Sequence, residues 1–523
     1  MTGTWIFVRV FLRRDRWMIL WWGLGIMLLY WSQAISVDGL YATQAEFDRA
    51  AASMENNAGF IAMAGPPRAL NTIGGQVTWQ SAAFGAVLVG LMSMFLVGRH
   101  TRAEEETGRD EILRSGVVGR FATTSATFVT AAVANLWAGG LVAASLIAYP
   151  LAVEDSLALG VGVAMCGLAF TGTALIAAQL TSTTRGMYGL AGGLIGLSYA
   201  LRGIGDLGNA AISWLSPIGW YQAMHAFSGV RWWPALLLVV ASVGSVATAY
   251  VVFQRRDFGA GVLAARPGPA RGGATLRDGY GLAWRLQRGA LVGWTVGMFL
   301  GGLAYGTLGK DVDELIGDSQ ASRDLFLQGG GSIIDAFYAT AILMMALIAT
   351  GFTLSSVLRP RGEEVAGRVE SLLGTGLARR DWLLGHVAVT VAGTVVVLLA
   401  AGLGIGVGYA LVTGDTSTLF DYVVPTLGYA APVLVLAGLA RTVYGLVPRL
   451  QTAAWLALLY CWVVMMFGEL FRLPQWSQDL SPFEHLALVP AEDFRWTPFL
   501  VLLAVAGALS LVGQAAFRRR DVH

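Results

Sequence analysis

The sequence predicts an all-α integral membrane protein with about twelve transmembrane helices, arranged as two parallel six-helix repeats. Three observations lead there. Hydrophobic residues make up 55% of the 523 positions and charged residues 13%, with a mean hydropathy of +0.61. So few charges cannot cover the surface of a water-soluble protein of this size. Uncharged apolar stretches of about 20 residues, the length needed to cross hydrocarbon as a helix, recur along the chain. An unusual acidic motif also occurs twice, at a spacing that other motifs repeat.

Taken in order, the chain opens with WIFVRVFLRRDRW (5–17), which mixes aromatic residues with Arg9, Arg13, Arg14 and Arg16. It suits either a helix lying at the headgroup level or the inner end of the first span. No small-residue cleavage site follows, so it is read as a membrane helix and not a removable signal. Spans are expected at 17–37, 79–98, 122–149, 156–180, 186–203 and 232–253. A second set is expected at 286–308, 334–357, 382–412, 421–440, 451–471 and 496–517. The least regular are 186–203, rich in Gly, and 421–440, which holds Pro425 and Pro432. Between the sets lies GAGVLAARPGPARGGATLRDG (259–279), a Gly/Pro/Arg-rich linker without apolar periodicity. The domains are therefore 1–258, the linker 259–279, and 280–523, whose opening GLAWRLQRG (281–289) is a weaker counterpart of 5–17.

Arginine sets the orientation. With the N-terminus inside, most of the 35 basic residues fall on cytoplasmic segments, as the positive-inside rule requires. Both termini, the linker and both acidic segments are then cytoplasmic. Cys166 and Cys461 lie in apolar spans and read as small buried hydrophobes.

The acidic motif is RAEEETGRDEIL at 102–113 and RGEEVAGRVESL at 361–372. Arg102, Glu104, Glu105, Gly108, Arg109, Glu111 and Leu113 match Arg361, Glu363, Glu364, Gly367, Arg368, Glu370 and Leu372, an offset of 361 − 102 = 259. LSP at 215–217 returns at 480–482, RWWP at 231–234 as RWTP at 495–498, and FQRRD at 253–257 as FRRRD at 517–521. Six spans per half give both halves the same orientation. Drawn as one helix, the first copy puts Glu104, Gly108 and Glu111 on a single face, with the acids in water. A hairpin that only aids solubility explains one such copy; a soluble partner with two equivalent docking sites explains both.

The pattern E-E-x-x-G-R-x-E-x-L, followed by Arg120 or Arg379 before the next helix, resembles the coupling-helix segment of type-2 ABC permeases. LSPIGWYQAMHAFSGVRWWP (215–234) is similar to the fused permeases of actinobacterial polyketide-antibiotic and multidrug exporters of the tetronasin-resistance type. The second copy, LSPFEHLALVPAEDFRWTP, departs in carrying Glu484, Glu492 and Asp493. The resemblance implies an export permease of type-2 architecture in a bacterial cell membrane. Two copies of a separate ABC ATP-binding subunit would dock beneath it and bind the ATP and Mg, while this chain binds no cofactor. Docking would fall to Arg102, Glu104, Glu105, Gly108, Arg109 and Glu111, and to Arg361, Glu363, Glu364, Gly367, Arg368 and Glu370.

The residues agree with an external motor. A phosphate-binding loop needs a Gly-Lys-Ser/Thr end, and the single lysine, Lys310, is followed by Asp311. No catalytic or metal constellation stands out, and His100, His225, His386, His485 and His523 are scattered without ligand spacing. Nothing points to nucleic acid. Span centres nearly free of charge favour a hydrophobic or amphiphilic cargo, with Trp79, Met92, Met94, Met344, Met345, Met465 and Met466 as candidate path residues. Asn135 and Gln179, polar inside spans, read as interhelical hydrogen bonds. The main alternative is an ion-coupled twelve-helix secondary drug transporter, which would need ionisable groups within its spans. A membrane enzyme would need a tighter acidic cluster than Asp311, Asp313, Glu314 and Asp318 supply. An importer or signalling module would use the same assembly.

Overall fold

The computed structural model describes residues 2–40, 43–55, 58–109, 116–257, 259–263, 270–273, 276, 278–308, 333–467 and 473–520. These residues form helices joined by short loops, with no strand among them. Eleven helices among them are long and apolar enough to cross a membrane. A twelfth, Thr184–Leu207, is long enough but Gly-rich and less apolar. The protein is an all-α integral membrane protein. Contacts divide the chain into two compact units, Met1–Pro267 and Gly268–His523, parting inside the Gly/Pro-rich segment.

The first unit comprises α1 (Thr4–Asp38), α2 (Gln44–Met54), α3 (Ala58–Ala64), α4 (Ile73–His100), α5 (Arg102–Glu106), α6 (Ala122–Ala148), α7 (Val153–Leu180), α8 (Thr184–Leu207), α9 (Pro217–Gln222) and α10 (Trp233–Arg255). The basic opening is continuous with the first span in α1, so it is the end of that span and not a separate interfacial helix. Helices α4 and α7 form the centre because their residues are small or apolar all round; Val89, Met92, Leu96, Val163 and Phe170 are almost fully buried. Where α6 crosses α7, a Cβ on Gly139 would lie 2.3 Å from the Gly160 carbonyl oxygen. Only paired glycines let the two backbones touch this way. Nearby, Asn135 Nδ2 donates to Ser93 Oγ at 3.0 Å and Thr171 Oγ1 at 3.2 Å, tying α6 to α4 and α7 as an interhelical hydrogen bond should. Cys166 is a buried free thiol, as is Cys461 in the second unit.

The second unit comprises α11 (Gly279–Gly306), α12 (Ile333–Val357), α13 (Arg359–Val365), α14 (Arg368–Leu373), α15 (Arg379–Thr413), α16 (Val423–Gly428), α17 (Ala430–Leu446), α18 (Ala454–Phe467) and α19 (Trp496–Arg519). The irregular span expected at 421–440 is broken between α16 and α17 and runs on to Leu446. The motifs G302-x-x-x-G306 and G404-x-x-x-G408 bring α11 and α15 together. Added Cβ atoms at Gly302, Gly306, Gly404 and Gly408 would meet carbonyl oxygens of the facing helix at 2.2–2.3 Å. Polar side chains cross-link the same bundle: Gln287 accepts from Ser356, which pairs with Thr390 at 2.7 Å, and Thr353 pairs with Thr394 at 2.8 Å.

Candidate functional site

The two acidic segments do not form single helices. Helix α5 stops at Glu106, and Gly108 takes φ 70°; in the second copy Gly367 takes φ 68° between α13 and α14. Both are left-handed positions that glycine adopts without a Cβ clash, and both close the turn the same way. Gly108 N–H donates to the Glu105 carbonyl at 3.1 Å, and Gly367 N–H to the Glu364 carbonyl at 2.9 Å. The helical face through Glu104, Gly108 and Glu111 is therefore interrupted. Glu111 and Leu113 lie outside the described residues.

The four paired glutamates are not in water. Their side chains are at most 11% exposed, and each is held by arginine. Glu105 is paired with Arg102 at 2.7 Å and with Arg256, just beyond the end of α10, at 2.5 Å. Arg256 also donates Nε to Gln179 Oε1 at 2.7 Å. Arg102, buried, donates to the Ala178 carbonyl at 2.5 Å and shares the Ala260 carbonyl with Arg256. Carbonyls at the C-terminal end of α7 carry partial negative charge, which helps to balance two guanidiniums around one carboxylate.

The second unit repeats the arrangement. Glu364 takes a two-pronged bond from Arg520, just past α19, at 2.7 and 2.9 Å. Arg361 stands at 3.3 Å, and the Tyr444 hydroxyl donates at 3.0 Å. Arg256 lies over the Phe253 ring at 5.1 Å and Arg520 over the Phe517 ring at 5.0 Å. The two pairs correspond at one offset, 520 − 256 = 517 − 253 = 264. In each unit, then, the second glutamate of the acidic motif is clasped by the arginine of F-x-R-R or F-R-R-R. The repeated FQRRD and FRRRD were visible in the sequence, but their pairing with the glutamates was not assigned. The signal that could have found it is that the two motifs recur together.

The first glutamates differ more. Glu104 pairs with Arg14 of α1 at 2.5 Å and stands 4.0 Å from Arg109; Glu363 pairs with Arg368 at 2.6 Å and Arg359 at 3.3 Å. Among the described residues, the segments leave exposed Glu106, Thr107 and Arg109 in one unit, and Gly362, Val365, Ala366, Gly367, Arg368, Glu370 and Ser371 in the other.

Charge is also buried at helix ends, outside the span centres. Asp15 of α1 is buried against His100 and pairs with Arg99 at 3.0 Å, and Phe11 stacks on His100 at 3.9 Å. His100, the last residue of α4, and His386 of α15 are both buried. Of the path candidates, Trp79 is locked by Phe60 and by its own bond to the Gly65 carbonyl at 2.7 Å. Met92 is fully buried, Met94 packs beside Gly192 and Met345 beside Gly301. Met344 accepts from the Tyr305 hydroxyl, Met465 is half-buried and Met466 exposed.

The fold is that of a multi-pass helical membrane protein, and sequence comparison places it among membrane transport components. Residues 276–518 match the family described as the C-terminal domain of the multidrug efflux system permease Rv1217c. Multidrug efflux system permease protein Rv1217c of Mycobacterium tuberculosis (strain ATCC 25618 / H37Rv) is 36% identical over 526 aligned positions, which cover all of this chain and 96% of that protein. The chain belongs to this family of multidrug efflux permeases.

Proposed function

We propose that the chain is the permease subunit of an ATP-driven ABC exporter of hydrophobic or amphiphilic compounds. Two copies of a separate ATP-binding subunit power it, docking on the segments 102–113 and 361–372 from the cytoplasmic side of a bacterial cell membrane. Membership in a multidrug efflux permease family supports the cargo class. The resemblance of the acidic motif to type-2 coupling segments supports the motor, as does a sequence whose one lysine has no phosphate-loop context.

The observation that carries the coupling role is the repeated clasp. A push on either segment is delivered, through Glu105–Arg256 or Glu364–Arg520, to the end of that unit's last span. Docking in this reading uses the exposed Glu106, Arg109, Val365, Arg368 and Glu370, while the buried glutamates hold the segments in shape. Partly accessible Met344, Met465 and Met466 are the better path candidates.

The test is co-expression with the candidate ATPase. Reversing charge at Glu106 and Glu370 together should release the ATPase on purification and abolish resistance to lipophilic compounds, with the permease still folded. Full resistance with a hydrolysis-dead ATPase would refute the motor. The buried Asp15–His100 pair favours one second reading, a proton-coupled carrier. In that case export would stop on collapsing the proton gradient and continue without the ATPase.

A further inference from the structure

Among the described residues of the second unit, the one buried arginine lies outside the clasp. Arg441, on α17, is 5% exposed. Its Nη1 donates to Ser510 Oγ at 2.6 Å, its Nη2 reaches the Leu383 carbonyl at 3.4 Å, and its Nε has no acceptor. Among the described residues the unit's ion pairs all belong to Glu363 and Glu364, and none includes Arg441. A guanidinium taken out of water without a counter-charge is costly, and such a residue inside a membrane helix marks a functional site by default.

The other unit shows that the fold does not need this charge. A Cβ on Gly172 would meet Ser245 Cβ and the Ser242 carbonyl, and a Cβ on Gly438 would meet Leu509 Cβ and the Ala506 carbonyl. The partners correspond by 509 − 245 = 506 − 242 = 264, so Gly172 and Gly438 occupy equivalent places. Three residues on, the first unit has Leu175, fully buried, where the second has Arg441. The charge is particular to the second unit.

Arg441 lines a cavity of about 210 Å³ whose remaining wall is mostly apolar, with Val357, Leu434, Ala437 and Leu503. Exposed Val391 and Gly507 also line it, so it reaches the surface of the unit. That volume falls below the roughly 300–1,000 Å³ of a site for a whole drug. It suits a charged head and its first few methylenes. Arg441 stands five residues from the end of α17, about 7–8 Å along the axis, near the depth where headgroups give way to chains.

We propose that this cavity binds the acid group of an amphiphile, an anionic head on an apolar chain. The head supplies the counter-charge to Arg441, and the chain leaves over Val391 into lipid. The ligand's source is either a free carboxylic acid or an anionic phospholipid. Binding needs neither ATP nor a second subunit, so its failure would leave the proposed export function standing.

The test uses the full chain in phosphatidylcholine nanodiscs, with cis-parinaric acid as a fluorescent probe and empty discs as the blank. The wild type should bind the acid saturably and its methyl ester no better than the blank. Arg441→Leu should weaken binding at least tenfold, and Arg441→Lys should retain most of it. Gly507→Leu adds bulk at the cavity's exposed rim with the arginine in place, and should show the same loss even if Arg441→Leu fails to fold. Displacement of the probe by phosphatidylglycerol would support the site with a lipid as its occupant; displacement by oleate alone would support it with free acids. Equal binding by wild type and Gly507→Leu, or by acid and ester, overturns the proposal.

Discussion

The two clasps differ in how far they reach. In the first unit, Glu104 and Glu105 are bonded to side chains from α1 and from the end of α10, and Arg102 grips the end of α7. In the second, Glu363 finds its arginines within five residues along the chain, and only Glu364 reaches distant elements, through Arg520 and Tyr444. Arg102 is 1% exposed, whereas the Arg361 side chain is 21% exposed. A groove of about 520 Å³ also runs beside the second segment, lined by Leu282, Leu286, Leu372 and Trp382. The first segment is stapled into its unit through both glutamates; the second is tied through Glu364 and through Val369, buried against Trp382, Tyr444 and Phe517. The shared part, the second glutamate with the distant arginine, is what both copies require; the rest is free to differ.

The largest effect should come from cutting the shared part. Arg256→Ala leaves Glu105 buried with one guanidinium fewer and should cost about 3–5 kcal/mol, read as a fall in the melting temperature of the purified chain. Arg520→Ala should cost less, since Arg520 is 17% exposed and Glu364 keeps Arg361 and Tyr444. The triple variant Arg102→Met, Glu105→Gln, Arg256→Met should recover most of the loss, because it removes both buried guanidiniums together with the carboxylate they share. Equal damage from the single and triple variants would break the comparison.

Next come the glycine crossings. Gly306→Leu places side-chain atoms where the Ile405 carbonyl stands, 2.2 Å from the new Cβ, and no side-chain rotation relieves it. It should cost about 3 kcal/mol or more, the upper end of overpacking. Gly507→Leu, with nothing within 4 Å of its Cβ, should leave the melting temperature nearly unchanged. Protease protection of the second unit would separate the two outcomes.

A smaller effect tests the difference in reach. The Arg14 side chain is 35% exposed, and Arg14→Ala should cost no more than about 1 kcal/mol. It should nevertheless speed hydrogen exchange around 102–107, since it removes the only staple to α1 seen among the described residues. The local counterpart, Arg368→Ala, should free 363–373 without touching α11.

The smallest effect concerns the loop between α9 and α10. Burial, reinforced by nearby Arg68 and Arg231, lowers the pKa of His225 to about 4 from its ordinary 6.5. The folded loop holds this proton less tightly than the unfolded chain does. Its contribution is therefore fully present above about pH 6.5 and declines as pH falls from 6.5 toward 4. Intrinsic-rate-corrected hydrogen exchange at 223–231 should accelerate across that window. His225→Asn, which tolerates the left-handed φ of 54°, should remove the acceleration. Segment 482–495 of the second unit is the internal control.

Apolar length and composition determine that this chain lives in a membrane as helices: only helices and closed barrels satisfy backbone groups in hydrocarbon, and continuous apolar stretches of about 20 residues fit helices rather than short alternating barrel strands. Asn135 was likewise legible as an interhelical hydrogen bond, since a polar residue in a span has few other uses. Only the tertiary structure decided that Glu104, Glu105, Glu363 and Glu364 turn inward. A run of acids reads as a wet surface until the arginine that neutralises it is known, and Arg256 stands 151 residues from Glu105. The same reason hid Arg441. From the sequence it sits just past an expected span, but α17 continues to Leu446, and five further residues of helix carry the charge into the interior.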